Sequence, residues 1–167
     1  MPRILFEPLH PDVTPPARAT AQSAGYDLSA YLAGRQVTCS DGQRVWDATP
    51  DGEGAKTSLL LHPGMRALVP LGFKARLPEG YEAQIRPRSG LAFKKGLEIP
   101  NAPGTVDADF PDEWKVIVKN GAAYPISISH GERIAQAVLA KFEVLEWGHG
   151  AVDASTERRG GFGSTGH

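Results

Sequence analysis

Only one cysteine, Cys39, occurs in the 167 residues. A single thiol excludes an intrachain disulfide and any Cys-x-x-Cys metal site, and it suits a reducing compartment. Long apolar runs are missing too. Stretches such as Leu59-Leu60-Leu61 are far shorter than the roughly 20 residues a bilayer-spanning helix needs. The opening Met1-Pro2-Arg3-Ile4-Leu5-Phe6-Glu7 lacks the apolar centre of a secretion signal. The expectation is a soluble, cytoplasmic protein with no membrane partner. Neither sign of charge dominates, with 18 Lys and Arg against 19 Asp and Glu and a formal net charge of −1. The overall field therefore does not attract nucleic acid, and an anionic ligand needs a local basic cluster. Finally, no stretch of ten or more residues keeps a helical period.

What is present is punctuation and alternation. The 19 glycines and 14 prolines separate short segments whose apolar period is two. Tyr81, Ala83 and Ile85 share one face, opposite Glu82, Gln84 and Arg86. Trp114, Val116 and Val118 alternate with Lys115, Ile117 and Lys119, and Ile126 and Ile128 with Ser127 and Ser129. These read as half-buried strands. Turns are expected at His62-Pro63-Gly64, Pro78-Glu79-Gly80, Asn120-Gly121 and His130-Gly131-Glu132. Ser89 to Lys95 is the one short helix predicted, with Ser89 as its N-cap. The fold class is all-β, a sandwich or barrel of jelly-roll type. Residues 1–157 form one domain. Within it, residues 35–58 differ in texture: Gln36–Cys39 and Gln43–Trp46 read as a strand pair around Asp41-Gly42, followed by a polar stretch. Residues 158–167 form a glycine-rich tail that cannot fold alone.

Five constellations can carry chemistry. Arg86-Pro87-Arg88-Ser89-Gly90 puts two cations and a hydroxyl where the helix begins, an arrangement that favours phosphate; Lys94 and Lys95 follow. Asn101-Ala102-Pro103-Gly104-Thr105-Val106-Asp107-Ala108-Asp109-Phe110 reads as a β-hairpin with a carboxylate at its end, suited to orienting an attacking water. Ser23-Ala24-Gly25-Tyr26-Asp27-Leu28 offers an oxygen ligand for a magnesium-bound water. Gly131-Glu132-Arg133-Ile134-Ala135-Gln136 places Gln136 on one face with Ile134 and Val138, where a buried amide needs partners. Arg158-Arg159-Gly160-Gly161-Phe162-Gly163-Ser164 can close over a ligand, the ring stacking and the cations capping phosphates. Each has a blander reading: a solvated cap, an acidic loop, a turn, a structural amide, a frayed end.

In this order, AGYDL, RPRSGLA, NAPGTVDADF, GERIAQ and GGFGSTG resemble the five motifs of the homotrimeric dUTPases, over about residues 17–34 and 59–167. The resemblance implies hydrolysis of dUTP to dUMP and pyrophosphate with Mg²⁺, keeping uracil out of DNA and supplying dUMP for dTMP synthesis. It assigns Asp107 to activation of water. Arg88, Ser89, Gly90 and Gln136 match the phosphate-binding positions, with Ser89 facing the scissile region and Ser89 and Arg88 counted with Asp107 as catalytic. Asn101, with the backbone of Gly104 to Asp107, matches the uracil reader. Thr105, Val106 and Lys115 line the nucleoside site, and Phe110 packs on the sugar. Asp27 matches the holder of the metal's water shell. Phe162 matches the ring stacked on uracil, with Arg158 or Arg159 on the γ-phosphate and Gly163 and Ser164 in the same flap. It further implies a trimer with an exchanged C-terminal segment and sites shared between subunits. A related dCTP deaminase and a non-enzymatic dUTP-sensing scaffold are the alternatives. Three departures stand out. Phe110 replaces the usual tyrosine, Pro111-Asp112 a usual Arg-Gly, and the stretch from Arg158 to Phe162 is one residue short. Residues 35–58 are an insertion relative to typical members, expected as a surface hairpin.

Overall fold

The computed structural model describes residues 2–152. Thirteen strands, one α-helix and one short 3-10 turn make it up. The strands are β1 (Leu5–Pro8), β2 (Gly25–Ser29), β3 (Val37–Ser40), β4 (Val45–Ala48), β5 (Ser58–Leu61), β6 (Arg66–Pro70) and β7 (Phe73–Arg76). They continue with β8 (Tyr81–Pro87), β9 (Leu97–Glu98), β10 (Gly104–Val106), β11 (Lys115–Asn120), β12 (Ile126–Ser129) and β13 (Arg133–Lys141). The helix α1 spans Ser89–Lys95, and the 3-10 turn Gly54–Lys56. No helix among the described residues is long and apolar enough to cross a membrane.

Every paired strand runs antiparallel. The ladders fall into four sheets: β1-β7, β10-β8-β13-β2, β4-β3-β6-β11-β9 and β12-β5. Neighbours are mostly not consecutive, which is the crossover pattern of jelly-roll folds. The expected alternation is present: in β11, Val116, Val118 and Asn120 are buried while Lys115 is exposed. In β12, Ile126 and Ile128 point inward and the serines outward. One core results, built on Leu28, Leu61, Val69, Val116, Ile128 and Ile134 among others. The residue at 120 is a fully buried polar group. Its amide donates to the carbonyls of Leu61 (2.9 Å) and Tyr124 (2.8 Å), and its oxygen accepts from the Ala122 amide (2.8 Å). Asn120 is thus satisfied on all sides.

The segment 35–58 begins with β3 and β4, paired around the Asp41-Gly42 turn. β3 docks on β6, which makes β4 an edge strand, and Val45 and Trp46 stand exposed on it.

Three local expectations fail. The N-cap of α1 is Arg88, extended and without a side-chain cap bond, and Ser89 is the first helical residue. The reason is that Arg88 is held from outside, as described below. The segment around Pro103-Gly104 is not a self-paired hairpin: β10 docks on β8, Gly104 opposite Ile85. Prolines at 100, 103 and 111 lack the N–H groups a two-stranded ladder would need. In β13 the register shifts between Arg133 and Ala135, so Ile134 and Ala135 are both buried. After this bulge the parity is reversed. Ala135 and Ala137 face the core, and Gln136 with Val138 faces the opposite side.

Candidate functional site

The expected residues gather around two cavities. The first, of about 640 Å³, lies beside β10 and β11. Asn101, Gly104, Thr105, Val106, Asp107, Phe110 and Lys115 all line it. Gly104 leaves room here for a neighbour, since a Cβ at this position would stand 2.8 Å from Nδ2 of Asn101 and push the end of that side chain away. The glycine lets the Asn101 amide lie against the strand. Asp107 follows β10 directly, and its carbonyl accepts the Phe110 N–H at 3.2 Å, closing a turn that puts both side chains at the cavity. The Asp107 carboxylate is exposed and forms no ion pair among the described residues.

The far wall of this cavity includes Glu113 and Trp114. Glu113 accepts two hydrogen bonds from Arg35, at 3.0 and 2.6 Å, and one from the Gly72 amide at 2.8 Å. Burial alone would raise its carboxyl. The Arg35 and Gly72 hydrogen bonds, with the charges of Arg35 and Lys115, outweigh burial and hold it below the ordinary value.

The second cavity, of about 710 Å³, is polar and basic. Arg88, Ser89, Gly90, Asp27 and Gln136 line it, together with Arg86, Lys94, Lys95 and Arg133. Residues distant in sequence meet here because β13 lies between β8 and β2. Gln136 stands opposite Arg86 on one side and Asp27 on the other. Its Nε2 donates to the Pro87 carbonyl at 2.9 Å, and its Oε1 rests against Gly25, where a Cβ would collide with it. Asp27 receives Nε of Arg88 at 3.1 Å and Nη1 of Arg133 at 3.0 Å. Nη1 of Arg88 also donates to the Arg133 carbonyl at 3.0 Å. The Arg88 guanidinium, which lines this cavity, is therefore oriented before any ligand arrives. Lys95 is tied to Glu132 at 2.7 Å, which fixes α1 to the turn before β13.

Arg133 is the residue that sequence reasoning passed over. It stands inside GERIAQ, and its charge was the available signal. The two cavities share no lining residue. Arg158, Arg159, Phe162, Gly163 and Ser164 lie outside the described residues.

The profile of the dUTPase family matches residues 54–166. The deoxyuridine 5'-triphosphate nucleotidohydrolase of Rhizobium rhizogenes is 44% identical over 161 residues, covering 95% of this chain and 98% of its own length. The chain belongs to the dUTPase family. The protein of the same name from Beijerinckia indica is also 44% identical, over 99% of this chain and 92% of its own. That alignment reaches the AGYDL segment, which the profile match does not. Among solved structures, a variant dUTPase of Staphylococcus bacteriophage 80alpha with dUpNHpp superposes at a TM-score of 0.75. It is 21% identical, covers 98% of both chains, and supports the fold. On this dUTPase-family chain, residues of the NAPGTVDADF segment line the first cavity, and residues of AGYDL, RPRSGLA and GERIAQ line the second.

Proposed function

We propose that this chain hydrolyses dUTP to dUMP and pyrophosphate, with Asp107 accepting a proton from the water that attacks the α-phosphorus. The observation that carries this reading is the first cavity. Asn101 and the backbone of Gly104 to Asp107 offer a polar edge for a base, Phe110 a flat face for a sugar, and Asp107, at the end of that edge, a carboxylate with no ion pair among the described residues. The names of the 44% identical relatives favour this reading over a dCTP deaminase. The product supplies dTMP synthesis, and removal of dUTP keeps uracil out of DNA.

The polar edge decides the base, because a cytosine would leave buried donors and acceptors mismatched. A tight edge also excludes the methyl of thymine. Phe110 against the sugar leaves no room for a ribose 2'-hydroxyl. Thr105, Val106 and Lys115 complete the nucleoside wall. Arg88, Ser89, Gly90 and Gln136 hold the phosphates. Because the phosphate-holding cavity shares no residue with the first, we assign a complete site to the meeting of subunits in a homotrimer. A third chain brings Phe162, Gly163 and Ser164 over the base, with Arg158 or Arg159 on the γ-phosphate.

The donor set near Asp27 fits Mg²⁺ delivered with the triphosphate. No cluster of three or more His, Cys, Asp or Glu occurs among the described residues, so those residues alone form no complete cage. Asp27 keeps lone pairs beyond those used by its two arginines and can accept hydrogens from metal-bound water. When bound, the ion neutralises charge on the phosphate oxygens. The protein acts in the cytoplasm, without a nucleic-acid or membrane partner.

The test is pyrophosphate release from dUTP, dCTP, dTTP and UTP with magnesium, using the wild type and Asp107→Asn. A strong preference for dUTP is expected, with kcat lowered roughly 10²- to 10⁴-fold in the variant. Equal rates for the two proteins would remove Asp107 from its role. Comparable turnover of UTP would remove Phe110 from its own.

A further inference from the structure

The wall carrying Phe110 belongs to no ladder. Between β10 and β11, residues 107–114 cross the cavity as turns and irregular backbone. Their far end is hooked by the backbone: the Trp114 N–H donates to Phe73 at 3.0 Å, and the Trp114 carbonyl accepts from Leu71 at 3.1 Å. Among the described residues, the side-chain hydrogen bonds of this segment all end on Glu113. Two come from Arg35, which precedes β3 and does not itself line the cavity. The third comes from Gly72, whose carbonyl accepts the N–H of Leu9, another residue of the same wall. The pair is partly buried, with side chains 23% and 11% exposed for Arg35 and Glu113, so water and salt screen it less than a surface pair. A planar guanidinium holding both carboxylate oxygens fixes orientation as well as distance. Nη1 of Arg35 also meets His10, whose Nε2 lies 3.3 Å away and whose ring stacks on Tyr31 at 4.2 Å.

We propose that Arg35 is a positioning residue for sugar discrimination: its two-pronged hold on Glu113 fixes the Phe110 to Trp114 wall at the distance that admits deoxyribose and refuses ribose. This rests on the function proposed above, and it gives the first residue of the 35–58 segment a task at the site. Without the hold, the wall keeps its ends and loses its middle anchor. Deoxynucleotide still binds, more loosely, and the extra hydroxyl of a ribonucleotide finds room.

The experiment measures kcat and KM for dUTP and UTP in the wild type, Arg35→Ala, Arg35→Lys and Glu113→Gln, with a melting curve for each. Arg35→Ala is expected to lower the dUTP-over-UTP ratio of kcat/KM roughly tenfold, through a higher KM for dUTP and a gain on UTP, with kcat for dUTP within about threefold. Glu113→Gln should follow it, and Arg35→Lys should fall between, since lysine keeps the charge without the fork. A lower melting point with an unchanged ratio would reduce the pair to a structural brace and overturn the proposal. Unchanged ratio and stability would overturn it equally. Should Arg35→Ala fail to fold, the lysine and glutamine variants, which keep the bulk, decide the matter alone. A wild type with no preference for dUTP would instead defeat the function assigned above, so the two failures are distinguishable.

Discussion

Replacing Gly104 with alanine separates Asn101, the proposed base reader, from the fold. Gly104 sits in β10 opposite Ile85 and is not among the glycines with positive φ, so alanine introduces no backbone strain there. The new Cβ would lie 3.4 Å from Cβ of Ile85, close but tolerable, and 2.8 Å from Nδ2 of Asn101. Ordinary contact begins at 3.4 Å, so the Asn101 amide must retreat by 3.4 − 2.8 = 0.6 Å. A displacement of about 1 Å at a site can lower rates about 100-fold. On a logarithmic scale, this smaller shift corresponds to roughly tenfold in kcat/KM for dUTP, about 1.4 kcal/mol. Stability should move by less than about 1 kcal/mol, because lost chain freedom in the unfolded state offsets the tight contact with Ile85. Pyrophosphate release from dUTP and dCTP, measured beside thermal unfolding, gives both quantities. The dUTP-over-dCTP preference should fall with kcat/KM while the melting point holds. A variant that keeps wild-type kcat/KM and base preference would refute the placement of Asn101 at the base. A loss of activity that merely tracks unfolding would refute the argument from contact distance.

Other outcomes follow from the same geometry. Asn120→Asp should destabilise by about 2–5 kcal/mol in urea unfolding, since a carboxylate cannot donate to the Leu61 and Tyr124 carbonyls it would face. The Glu113 carboxyl lies below its ordinary value of 4.5 in the folded chain. The unfolded chain therefore takes up the proton first on acidification. The stabilisation is full above the unfolded value and is lost as pH falls through the folded one. Glu113→Gln should accordingly flatten the acid limb of a stability-against-pH curve, and an unchanged limb would contradict the ion pair. In the proposed phosphate role of Arg88, Arg88→Ala should raise KM for dUTP roughly 100-fold in steady-state assays, through loss of a pre-oriented guanidinium; an unaltered KM would remove Arg88 from the phosphate site.

The sequence carried the strands where ladders are regular and lost them where they are not. Alternation at 81–86, 114–119 and 126–129 gave the buried faces directly. At β13 the same reasoning put Ile134 and Gln136 together, and one shifted residue separated them. Period two identifies a face but not a partner, which is why β10 was expected to pair with its own neighbour and instead lies on β8. The cap of α1 moved by one residue because Arg88 is drawn out to Asp27 and Arg133. Site residues were legible where they sit in one short motif, as from Asn101 to Phe110. Arg133 with Asp27, 106 positions apart, and Arg35 with Glu113, 78 apart, leave no local trace. Only the crossing order of the strands brings them together.

The separation of the two cavities has an evolutionary meaning. On the function proposed above, substitutions around the first can retune which nucleobase is accepted while the grip on the charged end of the molecule stays intact, because no described residue lines both. A lineage built this way can alter the base edge at Asn101 and the phosphate grip at Arg88 separately, so long as Asp107 beside that edge is kept.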